Sequence, residues 1–362
     1  MRLAIVGTGL IGASVGLAAK RADDTHIVGY DPEHESLHEA AERGAIDEAA
    51  GGVDDAVAGA DLTVVATPVT QLPAQVAAVL AACGSDCTVT DVGSTKSAVA
   101  AAARDDPRFI GGHPVAGSEA HGAAHARAEL FDGATWFLTP VASTDATRYR
   151  FVHGFVSSLG AVPVAVDPEA HDRLLALTSH LPHALANLLL NQVGGRRIEG
   201  HEPLDAAGGS LRDMTRVAGA NPRVWVDIFL ENADALRDTL AEHRSRVEQL
   251  ETALARGDAG FLARWIGEAR QNRSRMLADA YPDAGGLQRL VVRVPDRPGV
   301  LAGITQALGA ERINIEDFEL RHESPERGGV LTVLIGGEEQ ATRAAALLES
   351  QGYAVDVSPV LE

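Results

Sequence analysis

His113-Pro114-Val115-Ala116-Gly117-Ser118-Glu119 sets an imidazole, a hydroxyl and a carboxylate among small residues with little apolar surface to bury. A core segment would carry Leu, Ile or Phe here, so the stretch reads as a loop built to meet a ligand. A neutral imidazole titrates near working pH and can take a proton in a transition state. Ser179-His180-Leu181-Pro182-His183 supplies two more imidazoles, and Arg216 adds a guanidinium able to grip a carboxylate through two parallel hydrogen bonds. Arg212 and Arg223 offer the same chemistry nearby. His180 and His183 are three apart and share a face if the segment is helical. Zinc is the rival use of such a pair, but no Glu lies between them and no Cys or Asp at ligand spacing completes a set, so no metal is expected. Pro182 removes a donor within the run and predicts a kink.

Gly7-Thr8-Gly9-Leu10-Ile11-Gly12 follows one apolar β-rich run and opens a helical one. Gly7 allows the tight turn, Gly9 lets the backbone approach a pyrophosphate, and Gly12 permits close helix–strand packing. The phosphates then meet free N–H groups at the positive end of the helix. Asp31 ends the second strand, where its carboxylate can accept from a ribose diol and would repel a 2′-phosphate, so NAD is expected rather than NADP. Ser94 follows Gly93 after the fourth strand, at the carboxyl edge where doubly wound sheets bind ligands. A helix N-cap before Thr95 would account for the same serine. Lys96 in that turn could meet an anion or stand in solvent. Dinucleotide chemistry beside three histidines and an arginine points to an oxidoreductase.

The elements that must hold these groups are legible as patterns. Leu3–Val6, Ile27–Tyr30, Leu62–Ala66 and Thr88–Asp91 read as strands, separated by alanine-rich helical stretches near 11–21, 33–43, 70–82 and 95–104. Such alternation predicts an α/β doubly wound, Rossmann-type sheet over residues 1–166, with further strands at Thr135–Leu138 and Val162–Val166. From 167 to 280 the β signal disappears and helices are expected near 168–192, 203–219, 221–256 and 258–279. Asn221-Pro222 is a helix start. Helices with apolar faces and no sheet need a partner surface, so this all-α substrate domain is expected to form a homodimer. Residues 281–286 have linker composition. The remainder, 287–362, follows a βαββαβ order, which is ferredoxin-like α+β. Its strands are expected at Leu290–Val294, Ile313–Leu320, Val330–Ile335 and Tyr353–Val357.

The chain has 362 residues, enough for two or three domains, and 46% of them are hydrophobic, as in globular proteins. Its net charge of −19 argues against a nucleic-acid or anionic-membrane binder. Cys83 and Cys87 have no second pair to complete a zinc site and are expected to be ordinary thiols in a reducing compartment. The first strand begins at once after Met1, leaving no room for a leader peptide, and the apolar runs are too short to span a membrane. A cytoplasmic enzyme is expected.

Taken together, GTGLIGAS at 7–14, DVGSTK at 91–96, GGHPVAGSE at 111–119, HDRLLALTSHLPH at 171–183 and MTRVAGANPRVWVDIFLEN at 214–232 resemble the prephenate/arogenate dehydrogenases of tyrosine biosynthesis. The last 75 or so residues resemble an ACT domain, with Asp296, Pro298, Gly299, Asn314 and Ile315 at the usual ligand-binding positions. The resemblance implies that the ring carbon bearing the hydroxyl gives a hydride to NAD while the ring carboxylate leaves as CO2. It implies that His113 takes the hydroxyl proton, that Ser94 orients His113, and that Arg216, rather than Arg212 or Arg223, holds the side-chain carboxylate. His183 is expected to contact substrate or cofactor, and His180 to be a second contact or to position its helix. Glu119 either adds a negative field that speeds loss of the carboxylate or braces the loop against an arginine. Trp225 reads as helix-packing core rather than as a ring-stacking residue. Tyrosine is the expected effector of the ACT domain. Arogenate, with an amine in place of the keto group, is the nearest alternative substrate. A β-hydroxyacid dehydrogenase would need a catalytic lysine in its helical part, and no lysine follows Lys96. A non-catalytic amino-acid sensor would not need Gly7, Gly9, Gly12, His113, His183 and Arg216 all intact.

Overall fold

Alternate residues of the first strand, β1 (Arg2–Val6), face opposite ways: Leu3 and Ile5 enter one buried apolar cluster, Ala4 and Val6 another. A strand buried on both faces must lie inside a sheet covered by helices on each side. The computed structural model, which describes residues 1–116, 122–280, 286–324 and 328–360, has that layering. The chain forms two compact units, residues 1–246 and 247–362.

In the first unit β1 is followed by α1 (Leu10–Ala22), β2 (His26–Tyr30), α2 (His34–Glu42), β3 (Glu48–Ala49), α3 (Val53–Val57) and β4 (Leu62–Val65). Then come α4 (Leu72–Ala82), β5 (Thr88–Asp91), α5 (Ser97–Ala102), β6 (Phe109–Pro114), β7 (Thr135–Thr139), α6 (Ala146–Ser158) and β8 (Val162–Ala165). The sheet order is β3-β2-β1-β4-β5-β6-β7-β8, so the chain reverses direction across the sheet between β1 and β4. This is a Rossmann-type, doubly wound arrangement, with its ligand crevice at the carboxyl ends of the strands. Only β7 and β8 depart from it: β7 runs antiparallel to β6, and β8 runs parallel to β7.

The segment around His113 differs from the sequence expectation. His113 and Pro114 are the last residues of β6, a fully buried strand, and not part of a loop. The reason is Gly111-Gly112. A Cβ on Gly111 would lie 2.3 Å from Thr139 Oγ1, and one on Gly112 only 2.5 Å from the Asp91 carbonyl oxygen. The two glycines let β6 press against its neighbours, and they also erase the apolar signature of a strand. Glu119, with its neighbours 117–121, lies outside the described residues.

After β8 come α7 (Pro168–Leu175), α8 (Leu181–Gly194), α9 (Gly209–Thr215), α10 (Pro222–Glu231) and α11 (Ala233–Arg256). Asp167 caps α7 by accepting from the Glu169 and Ala170 N–H groups, and Asn221 caps α10 with Pro222 at its first position. The disturbance expected at Pro182 takes the form of a π-helical turn, Ala176–His180, joining α7 to α8, with Pro182 in the first turn of α8. The single helix expected over 203–219 is instead α9 flanked by two short 3-10 turns.

The second unit holds α12 (Ala259–Ala280) and a four-stranded antiparallel sheet of order β10-β11-β9-β12. Its strands are β9 (Leu287–Val294), β10 (Asp317–Ser324), β11 (Gly328–Gly336) and β12 (Ala354–Pro359). Helices α13 (Val300–Ala310) and α14 (Glu338–Ser350) complete a βαββαβ, ferredoxin-like order. Strand β10 starts four residues later than expected, because buried Ile313 ends α13 instead. Its N–H returns to the Leu308 carbonyl after Arg312 turns at φ 57°, a helix-stop geometry with a hydrophobic anchor. The stretch read as a linker lies outside the described residues apart from Gly286. No helix among the described residues is long and apolar enough to cross a membrane.

Candidate active site

The turn from β1 to α1 fits a dinucleotide on steric grounds. Gly7 adopts φ +98°, and a Cβ there would sit 2.5 Å from the Ala66 carbonyl oxygen. A Cβ on Gly12 would lie 1.9 Å from the Gly7 oxygen, whereas one on Gly9 would meet nothing within 4 Å. The space in front of Gly9 is open, and α1 begins at Leu10 with no side-chain cap, leaving its first N–H groups for an anion. Leu10 and Ile11 are half-buried in that first turn. Asp31, after β2, accepts from the Thr8 N–H at 2.8 Å and from the Glu33 N–H at 2.9 Å. An ionised carboxylate has about four acceptor positions, so capacity remains for a ribose diol.

His113 closes the carboxyl end of β6 and is 9% exposed. Its Nδ1 lies 2.9 Å from His171 Nε2, and His171 Nδ1 lies 2.9 Å from Asp172 Oδ1. Asp172 also accepts from the Lys96 N–H at 2.7 Å and the Ser97 N–H at 2.8 Å, so this carboxylate from α7 caps α5. Burial works to raise the Asp172 pKa, but the hydrogen bonds from His171, Ser97 and Lys96 outweigh it and hold the group below the usual carboxylate range. The protons of the chain then follow. With Asp172 ionised and the His171 ring neutral, Asp172 accepts from His171 Nδ1–H and His171 Nε2 is an acceptor for His113 Nδ1–H. His113 Nε2 is left with a lone pair. Burial, then the nearby His171 and Lys96, push the His113 pKa well below 6.5, so the ring stays neutral and basic at that atom.

His180, at the end of the π-helical turn, is also buried, and its pKa is lowered to about 4, mainly by that burial. The Asn232 side-chain amide donates to the Asp172 carbonyl at 2.8 Å and meets His180 Nδ1 at 3.1 Å. A carbonyl can only accept, so the Asn232 atom facing it is nitrogen. That nitrogen donates to His180 Nδ1 as well, and the His180 proton sits on Nε2. His183, one turn into α8, stacks face to face on Trp225 with ring centroids 3.5 Å apart and planes 6° apart. Trp225 is half-buried, and this histidine contact is its closest ring partner. Burial lowers the His183 pKa too.

Other residues singled out from the sequence stand apart from this network. Ser94 is half-buried in the loop between β5 and α5 and makes no hydrogen bond among the described residues; α5 starts at Ser97 without a side-chain cap of its own. Arg216 opens a 3-10 turn packed against α8, and is exposed with no hydrogen bond or ion pair among the described residues. Arg212 donates to the Ala207 carbonyl, and Arg223 is exposed. Lys96 is neither solvated nor open to an outside anion: it is wholly buried and paired with Asp91. No cluster of metal-binding side chains occurs among the described residues.

Sequence reasoning missed His171, Asp172, Asn232 and the Asp91–Lys96 pair. One signal was present. Pro168, His171, Asp172 and Leu175 form the buried stripe of α7, so a histidine and an aspartate occupy positions where apolar side chains belong. In the second unit a cavity of about 110 Å³ is lined by Asp296 and Gly299 together with Arg297, Val300, Ile304 and Leu331. Pro298, Asn314 and Ile315 are not among its lining; Asn314 donates to Glu316 and Ile315 packs on the domain core.

These features define a Rossmann-type dinucleotide-binding fold with a buried imidazole, that of His113, at the carboxyl end of its sheet. Family models agree on the class: residues 15–165 match the prephenate dehydrogenase nucleotide-binding domain, 167–268 the prephenate dehydrogenase dimerization domain, and 288–352 the ACT domain. The prephenate dehydrogenase of Bacillus subtilis is 32% identical over 356 residues, covering 96% of this chain and 95% of that protein. Two solved structures share the fold at 29% identity. The prephenate dehydrogenase of Aquifex aeolicus, in complex with hydroxyphenyl propionate and NAD+, has a TM-score of 0.71 over 76% of this chain and 98% of its own. Synechocystis arogenate dehydrogenase has a TM-score of 0.70 over 76% of this chain and 100% of its own. The chain belongs to the prephenate dehydrogenase family.

Proposed function

We propose that this enzyme oxidatively decarboxylates prephenate to 4-hydroxyphenylpyruvate with NAD. The observation that carries the reading is the Asp172–His171–His113 chain at the carboxyl end of β6, which with Asp172 ionised and His171 neutral leaves a lone pair on His113 Nε2. That atom takes the ring hydroxyl proton as the hydroxyl-bearing carbon gives up its hydride and the ring carboxylate leaves as CO2. Bound NAD supplies the hydride acceptor. Gly7, Gly9, Gly12 and the first turn of α1 hold its pyrophosphate, with Asp31 on the ribose. Arg216 grips the side-chain carboxylate, its guanidinium, unpaired among the described residues, being ready for a bidentate contact. His183, held flat against Trp225, contacts the substrate or the nicotinamide, and His180 positions the helix between them. Ser94, in the loop between β5 and α5, and Glu119 complete the proposed set of substrate-side residues.

Residues 1–166 act as the dinucleotide domain, 167–280 as the helical substrate and dimerisation domain, and 287–362 as the regulatory domain. A homodimer is supported by the match to a dimerization domain and by exposed Leu188, Val224, Val226 and Leu230 in the helical region. Tyrosine, bound against Asp296 and Gly299, is the effector that fits the pathway. A reducing, cytoplasmic setting fits the two free buried thiols. The test is NADH formation with prephenate and arogenate in parallel, each with and without tyrosine. Turnover of prephenate, slowed by tyrosine, is expected. Arogenate turnover alone would move the assignment to that substrate, and turnover of neither would end it.

A further inference from the structure

Lys96 touches Gly112, the residue before His113, and Asp172, the carboxylate at the far end of the chain that orients His113. Its side chain is fully buried, and its Nζ donates to Asp91 Oδ2 and, at 2.8 Å, to the Gly112 carbonyl. Asp91 Oδ1 accepts the Gly112 N–H at 3.1 Å. The ion pair thus clamps both polar groups of the residue before His113. On the other side, the Lys96 backbone N–H donates to Asp172 Oδ1, the oxygen that also receives His171 Nδ1–H. Neighbouring backbone is shaped around the pair: a Cβ on Gly111 would lie 3.4 Å from Lys96 Cδ, and one on Gly93 would lie 3.0 Å from Asp91 Oδ2.

A buried ion pair is a weak way to stabilise a fold, because desolvation offsets most of the attraction and an apolar pair of similar volume often does as well or better. The placement of this one is better explained by what it holds. We propose that Lys96, with Asp91, is a positioning residue for the reaction, fixing the strand that carries His113 and the carboxylate that sets its tautomer. The proposal rests on His113 being the base. The ammonium acts on the imidazole through space as well: after burial and His171, Lys96 is the next influence holding His113 neutral.

The double variant Asp91→Asn/Lys96→Met removes both charges and leaves no orphan carboxylate. We expect a cooperatively folded protein with unchanged NAD affinity and a kcat about 100-fold lower, the scale of loss when a reacting group is misplaced by about 1 Å. The acid limb of kcat against pH should move to higher pH: both charges are removed, and of the two it is Lys96 that holds the His113 pKa down. Asp91→Asn/Lys96→Gln keeps a donor for the Gly112 carbonyl; it should show the same upward shift with a smaller loss of kcat, and it carries the test if the first variant does not fold. A folded variant with wild-type kcat and an unmoved acid limb would overturn the role. His113→Asn, measured alongside, separates the two ideas. If it keeps wild-type kcat, the base assignment fails. If it is inactive while the double variant is normal, only the role of Lys96 fails.

Discussion

The sheet side and the helix side of the site are held in different ways. On the sheet side, His113 and Lys96 are buried and joined with His171 and Asp172, which α7 brings to the sheet, in one continuous set of hydrogen bonds. On the helix side, Arg216 is exposed and unpaired among the described residues, and Trp225 is half-buried. The contrast fits the role proposed for each group. A base must hold its lone pair to a fraction of an ångström and in one tautomer, so its orientation is settled before substrate arrives. A guanidinium that waits for a carboxylate is better left in water, because an unpaired buried charge is far more costly than a solvated one.

If that division is right, variants on the two sides should separate kcat from KM. The largest effect is expected for His113→Asn, which should lower kcat by about 10²–10⁴-fold while NAD still binds. Steady-state kinetics with a parallel NAD titration checks both halves, and a near-normal kcat would remove the base from the sheet side. Next is Asp172→Asn. The amide oxygen keeps the Lys96 N–H and His171 Nδ1–H, but the charge that held those protons in one arrangement is gone, so part of the His113 population carries its proton on Nε2 and cannot accept. We expect a kcat loss of about 10²-fold with little change in KM, and histidine ¹⁵N NMR should report the switched tautomer. A loss confined to KM would break the comparison.

On the helix side, Arg216→Ala should raise KM about ten- to a hundredfold, matching about 1.5–3 kcal/mol for hydrogen bonds to a charged group, with kcat largely kept. An unchanged KM would shift the contact to Arg212 or Arg223. The smallest effect concerns stability. His113, His180 and His183 have lowered pKa values in the fold and titrate near 6.5 when unfolded, so the unfolded chain takes up protons first as the solution is acidified. Their contribution is complete above pH 6.5 and declines below it, with the His180 share running down to about 4. Thermal melts from pH 7 to 4 should show Tm falling, and His180→Asn should flatten part of that slope. Arg216→Ala should leave the slope unchanged.

Much of the frame was legible because it depends on neighbours in the chain. The glycine turn at 7–12 needs a positive φ at Gly7 and no Cβ at Gly12, and only glycine meets both demands. The Asn221-Pro222 helix start and the βαββαβ order of the second unit are likewise local patterns. The strand of His113 was hidden, because the glycines that let it pack carry no apolar signal of their own. Beta order and packing also decided Lys96: nothing in Ser94-Thr95-Lys96 distinguishes a solvated lysine from a buried one.

Sequence by itself determined the cofactor turn, the succession of elements and the identities of the reactive side chains, since these depend on residue type and short-range spacing. Tertiary structure alone decided which nitrogen of His113 is free. That depends on partners 58 and 59 positions away in the chain, His171 and Asp172, brought beside it when α7 packs over the end of the sheet. A proton's position in such a chain is set by the direction of each hydrogen bond, and direction exists only once donors and acceptors face each other in space.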